Sequence, residues 1–189
     1  MPITPAGLVS VLVPSLLSGG NIGTGMPRLA QGIANGVSLW VAQTTVSITG
    51  TGAAGAGAVS YPLVVPSPLL TANMLSGFSS AEIIGIMAAP LALAIANGLV
   101  TGFAQGLIVA AFPGVGSGAG VARVSGPPPM ASMFSGFASA GLSGDGSQRI
   151  ARGISLGLSQ TFASLLVPVP IVGPSGPSPG AGTTTGKIA

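Results

Sequence analysis

Glu82 and Asp145 are the only two carboxylates of this 189-residue chain, and they limit the chemistry it can perform. Brought together by the fold, they could form an acid–base pair. Kept apart, each would be a helix cap or a charge facing solvent. The chain has no His and no Cys, so metal sites of the usual nitrogen and sulfur ligands, thiolate nucleophiles and imidazole bases all lack their parts. No serine lies in a G-x-S-x-G elbow. One phosphate-binding pattern matches by letter, "GTGAAG" at 50–55, after a plausible strand. Its mechanism needs a helix to open there and an acid about 20 residues further on, whereas "AGAVSYP" follows and the next carboxylate is Glu82. The "GK" at 186–187 runs into Ile188, so it is no phosphate loop either. The expectation is a protein without catalytic, cofactor-binding or metal-binding residues.

The elements that would carry any site are built from unusual material. Charged residues make up 4% of the chain against a globular norm near 25%, with 32 Gly, 17 Pro and a mean hydropathy of +0.80. A free soluble protein of this size normally carries many charges, so much of this surface is expected to be covered by lipid or by neighbouring subunits. The net charge of +3 comes from Arg28, Arg123, Arg149, Arg152 and Lys187, scattered singly. Nucleic-acid binding requires a patch that neutralises many phosphates together, and none is present. The N-terminal stretch "MPITPAGLVSVLVPSLLSGG" has no basic start and is interrupted by Pro14, so it reads as the first structural element and not as a secretory signal.

The chain repeats itself. "GIANGVSLWVAQ" at 32–43 compares with "AIANGLVTGFAQ" at 94–105 and "GISLGLSQTFAS" at 153–164. In this register Leu29, Leu91 and Ile150 correspond, then Ile33, Ile95 and Ile154, then Val37, Leu99 and Leu158, then Val41, Phe103 and Phe162. Steps of four residues are helical spacing. Ahead of each helix stands "LSGG" (17–20), "LSGF" (75–78) or "FSGF" (134–137), and behind each comes "GAG" at 55–57, 118–120 and 180–182. Three units follow, 3–62, 63–126 and 127–189. Each reads as a short helix, a longer helix, an extended segment ("TTVSIT", "LIVAAF" or "LLVPVPIV") and a Gly-rich return. The fold class is mainly α: three tandem helix pairs, each followed by an extended Gly-rich arm with some short strands.

On the longer helices Gly32/Gly36, Ala94/Gly98 and Gly153/Gly157 form small-xxx-small pairs in the same register. Glycine inside a helix costs roughly 0.5–1 kcal/mol relative to alanine, which close backbone approach can offset. These six residues are candidate packing positions. Gly55, Gly57, Gly118, Gly120, Gly180 and Gly182 of the GAG segments are candidate contacts between subunits, with flexible loops as the other reading. Trp40 and Tyr61 could anchor at a membrane interface or serve as core positions, and Met74, Met87, Met130 and Met133 read as adaptable packing at helix ends.

Residues 83–112, thirty positions without a charge, would span about 45 Å as one helix, more than a bilayer's hydrocarbon core of roughly 30 Å. The corresponding third-unit helix opens with Arg149 and Arg152, flanking Lys/Arg clusters are missing, and Pro/Gly/Ser tracts would leave backbone groups unpaired in lipid. Assembly is therefore the favoured reading, with a membrane-inserted holin-like or pore-forming protein as the alternative. The low charge, the "IANG" helices, "GTGAAGAGAVS" and the ending "VPVPIVGPSGPSPGAGTTTGKIA" together resemble small structural proteins of tailed-bacteriophage virions. The resemblance implies a virion component of the tail or baseplate whose partners are other virion structural proteins or copies of itself. It supplies no catalytic residues and no cofactor.

Overall fold

The computed structural model describes residues 4–43, 45–52, 57–62, 67–104, 107–112, 118–125, 130–163, 166–171 and 180–187. The protein is mainly helical, and the described residues form six helices in three antiparallel pairs: α1 (Pro5–Ser18) with α2 (Met26–Gln43), α3 (Ser67–Ser80) with α4 (Ala88–Ala104), and α5 (Met130–Ser139) with α6 (Asp145–Ala163). Six short strands follow the pairs two by two: β1 (Thr45–Gly52), β2 (Gly57–Pro62), β3 (Leu107–Phe112), β4 (Gly118–Ser125), β5 (Leu166–Ile171) and β6 (Gly180–Lys187).

Local sequence explains the helix ends. Thr4 caps α1 by accepting a hydrogen bond from the Gly7 N–H at 3.2 Å, and Pro5 occupies the first helical position, where its missing N–H has no partner to lose. Pro14, read from sequence as a break in its apolar stretch, lies inside α1 on the solvent side, and the helix continues through it. The three short helices end in the same way. The N–H groups of Asn21, Ile83 and Leu142 reach back to the carbonyls of Leu16, Phe78 and Phe137 at 3.2, 2.8 and 2.9 Å, with the preceding residue, Gly20, Glu82 or Gly141, at positive φ. This is the Schellman stop, which asks for glycine at its left-handed position. Glu82 meets that demand with a side chain, at φ 58°.

Around the bundle, the short helix of each pair packs on the long helix of the pair before it: α3 on α2 and α5 on α4, with α1 closing the ring on α6. The long helices carry much of the core: Ile33, Ile95 and Ile154, and one turn further on Val37, Leu99 and Leu158, are all fully buried in one cluster. The layer nearest the strands is aromatic. Phe103 and Phe162 meet edge to face with centroids 4.9 Å apart, and Trp40 lies 5.4 Å from Phe103 and 6.2 Å from Phe162. Such geometries are the favoured ones for aromatic pairs. Trp40 corresponds by register to Gly102 and Thr161, while Val41 corresponds to the two phenylalanines. The large ring has thus moved over by one position, filling space its smaller counterparts leave. Full burial makes Trp40 a core residue and not an interface anchor. The side chain of Tyr61 lies outside the described residues.

The chain from 83 to 112 is not one helix. It runs through a turn, then the 17-residue α4, then strand β3. Among the described residues no helix is long and apolar enough to cross a membrane. The strands pair antiparallel in two sheets, β1–β6 and β2–β3–β4–β5, so the first and last strands join as the first and last helices do. Of the GAG glycines in the expected extended segments, Gly118 and Gly120 sit in β4, opposite Ile171 and Val169, and Gly180 and Gly182 sit in β6, opposite Gly52 and Gly50. Glycine's lack of a side chain did not keep these segments from regular ladders, because the pairing uses backbone groups alone.

Candidate functional site

The small residues of the long helices lie in the seams between pairs. On α2, a Cβ added at Gly36 would stand 2.8 Å from Met74 Cα and 3.0 Å from the Asn73 carbonyl oxygen, both on α3. On α4, a Cβ at Gly98 would meet Met133 Cα of α5 at 2.9 Å. On α6, Gly153 faces Leu16 Cα of α1 at 2.7 Å, and Gly157 faces Leu12 Cα at 3.3 Å. Gly32 meets mainly the side-chain ends of Phe78 and Ile83, at 2.8 and 2.9 Å, and its counterpart Ala94 already carries a methyl group. All six face helices of the same chain. Of the GAG glycines, Gly57, Gly118, Gly120, Gly180 and Gly182 lie in strands, and Gly55 lies outside the described residues.

Gly77 and Gly136 complete the seams and are absent from the small-xxx-small pattern. A Cβ on Gly77 would run into the Gly32 carbonyl oxygen and the Gly36 nitrogen, and one on Gly136 into the Ala94 carbonyl oxygen and the Gly98 nitrogen. Their signal was in "LSGF" and "FSGF", which recur but show one glycine per helix instead of a spaced pair. The polar residues of "IANG" staple the same two seams: the Asn35 amide donates to Ser80 Oγ at 2.7 Å, and the Asn97 amide to Ser139 Oγ at 3.1 Å. Met74 and Met133 are fully buried at these crossings, whereas Met87 and Met130 are exposed.

The α1/α6 seam corrects the landmark alignment by one helical turn. The hydrogen bonds that end the helices equate Ser15, not Gly19, with Gly77 and Gly136. Gly19 falls where the other pairs have Ala81 and Ala140, and a Cβ added to it would stand 2.7 Å from the Arg149 carbonyl oxygen, at the helix end. A shift of four residues keeps the same helix face, which is why the match survives in the sequence. There the Asn21 amide bridges the Leu16 and Arg149 carbonyls, each at 2.9 Å, joining residues 128 apart in the chain.

All three helix turns lie at one end of the bundle, opposite the strands, because each seam is antiparallel. The tip carries Arg28, Glu82, Asp145 and Arg149, while Arg123 and Lys187 lie in β4 and β6. Arg28 lies 3.6 Å from Glu82 in an exposed ion pair, while Asp145 opens α6 at its N-terminus, where the helix dipole favours an acid. The two carboxylates thus hold separate posts, one beside an arginine and one in the first turn of α6. The tip also exposes Ile22, Ile84 and Ile86, at 90, 84 and 87% of their possible surface. In the α5–α6 turn, Ser143 stands where the other turns have Ile22 and Ile84. Beside it opens a pocket of about 320 Å³ lined by Phe134, Phe137, Ala138 and Leu142 together with Ser143, Gly144, Ser147 and Gln148. Among the described residues no cluster of His, Cys, Asp or Glu could hold a metal ion.

Among the described residues the helices form three pairs, closed by the packing of α1 on α6. No protein-family model matches the chain, and neither a curated protein sequence nor a solved structure is significantly similar to it.

Proposed function

We propose that the chain is a structural component of a large assembly, in the setting of a bacteriophage virion, in its tail or baseplate region. It acts as a tile of three similar units, 3–62, 63–126 and 127–189, each a helix pair with an extended Gly-rich segment behind it. The Gly and Ala seams of the long helices hold the units to one another, leaving the bundle's outer surface to other virion proteins or further copies. The observation that carries this reading is the tip: three isoleucines more than four-fifths exposed on a nearly uncharged bundle whose core is already filled. Large exposed apolar groups gathered in one place mark surfaces that a partner covers.

Mass spectrometry of purified phage particles from the source genome tests it, with the chain expected among the structural proteins. Replacing Gly36, Gly98 and Gly157 together with Leu should abolish incorporation by breaking the seams. Replacing exposed Ile22 with Asp should reduce incorporation while the isolated protein keeps its helical circular dichroism. Retention in membranes after carbonate extraction, with no recovery in particles, would replace this reading with the membrane-inserted alternative.

A further inference from the structure

The tip has a projection on one helix pair and a recess on another. In the α3–α4 turn, Ile84 and Ile86 stand out beside Gly85, whose φ of +129° fixes a tight exposed bend. At the corresponding place in the α5–α6 turn, Ser143 replaces the isoleucine, and the helix begins where Ile86 would be, with Asp145. That place holds a largely apolar pocket of about 320 Å³ lined by Phe134, Phe137, Ala138 and Leu142, with Ser147 and Gln148 also on its wall. A dry cavity of roughly 150 Å³ accepts a benzene ring, so this one has room for two isoleucine side chains.

The charges are matched in the same way. Arg28, at the α2/α3 seam, is paired with Glu82. By register its counterpart at the α6/α1 seam is Arg149, whose side chain lies over Gly20, the counterpart of Glu82. Among the described residues Arg149 has no acid beside it. One seam of the tip therefore carries a carboxylate where the other carries an arginine without one.

We infer that the tip is a self-association surface, on which a second copy of this chain docks tip to tip with Ile84 and Ile86 of each copy in the other's pocket between α5 and α6. The symmetry permits this. A twofold axis at right angles to the bundle and passing through the α1–α2 turn sets that turn against itself, and sets each α3–α4 turn opposite the partner's α5–α6 turn. Both projections are then seated, Ile22 meets the partner's Ile22, and the seam carrying Glu82 faces the partner's Arg149. Such a contact is isologous and closes at two copies. It goes beyond the structural role proposed above and does not depend on a virion setting.

Analytical ultracentrifugation of the full chain tests it, with twice the chain mass expected. Ile84→Asp blocks the projection and Ala138→Trp fills the pocket from an exposed position. Because each change occurs twice in a dimer, each variant should weaken association about 100-fold or more, with circular dichroism unchanged. Mixing the two variants is the decisive step. The mixed dimer regains one intact projection in one intact pocket, so an equimolar mixture should dimerise more tightly than either variant alone. A monomeric parent chain, variants that dimerise like the parent, or a mixture no tighter than its components would each overturn the inference. Binding of the parent to anionic vesicles through Ile84 without self-association would also overturn it, assigning the tip to a lipid surface.

Discussion

In two of the three helix seams a glycine of the short helix lies on the backbone of the long one; in the third a serine of the short helix holds the equivalent place. At α2/α3 and α4/α5, Gly77 and Gly136 sit on the backbone of the Gly32–Gly36 and Ala94–Gly98 turns, with an Asn–Ser hydrogen bond alongside. At α1/α6, Ser15 takes the glycine's place, the room is made by Gly153 and Gly157 on the long helix, and Asn21 ties the helix end to the Arg149 carbonyl. The first kind of seam joins helix pairs adjacent in the chain. The closing seam joins residues 128 apart, and loop closure over that length costs about 1 kcal/mol more than over the 45 residues between Asn35 and Ser80. Close backbone packing is joined by a side-chain amide hydrogen bond at all three seams; the closing seam differs in that its amide, from Asn21, reaches a backbone carbonyl far away in the chain.

The largest effect expected from this difference is at Gly77. Gly77→Ala places a methyl group against backbone that cannot yield by a rotamer change, so it should cost about 3 kcal/mol or prevent folding. Ser15→Ala at the equivalent position should cost less than about 1 kcal/mol, and so should Gly32→Ala, which meets only movable side-chain ends at close range. Denaturant unfolding of the three variants checks the order, and a Ser15→Ala loss as large as that of Gly77→Ala would remove the distinction between the seams. The closing seam is sharpened by Asn21→Ala, which deletes both amide bonds of a residue only 8% exposed. A loss of about 1.5 kcal/mol is expected, together with faster hydrogen exchange in α1 than in α3. Uniform exchange in the two helices would argue against closure as a separate task.

The smallest effect has the opposite sign. Glu82 occupies the left-handed position filled by Gly20 and Gly141 in the other two helix stops. A non-glycine residue there costs roughly 1–2 kcal/mol, and the exposed pair with Arg28 returns at most about 1. Glu82→Gly should therefore raise stability by about 0.5 kcal/mol, read as a small rise in melting temperature. A fall would show that the ion pair outweighs the backbone strain.

Much of the helical architecture was legible in the sequence. Four-residue steps through Ile33, Val37 and Val41, and their counterparts, placed the long helices and the layers they bury, because burial of one helix face imposes that period on any sequence that folds this way. The small-xxx-small pairs marked the seam faces for a similar reason: lost side-chain bulk is needed wherever backbones touch. Other features were not legible. "LSGG" and "LSGF" align by letter, yet their glycines sit one turn apart, and a four-residue slip goes unseen because it keeps the same helix face. The exchange of Trp40 for Gly102 and Thr161 could not be seen either, because it is a trade of volume across three helices. The 83–112 stretch looked continuous because hydropathy does not register the Gly85 bend.

By itself the sequence determined the period of the elements, the scarcity of ionisable chemistry and the positions where backbone could approach backbone, all properties of single segments. Only the tertiary structure decided that α1 closes on α6 and that each short helix packs on the pair before its own. It also decided that the three turns gather at one end, where Ile84 and Ile86 project from one and a pocket opens in another. Those facts depend on which segments become neighbours, and neighbours are chosen by the joint fit of surfaces far apart in the chain.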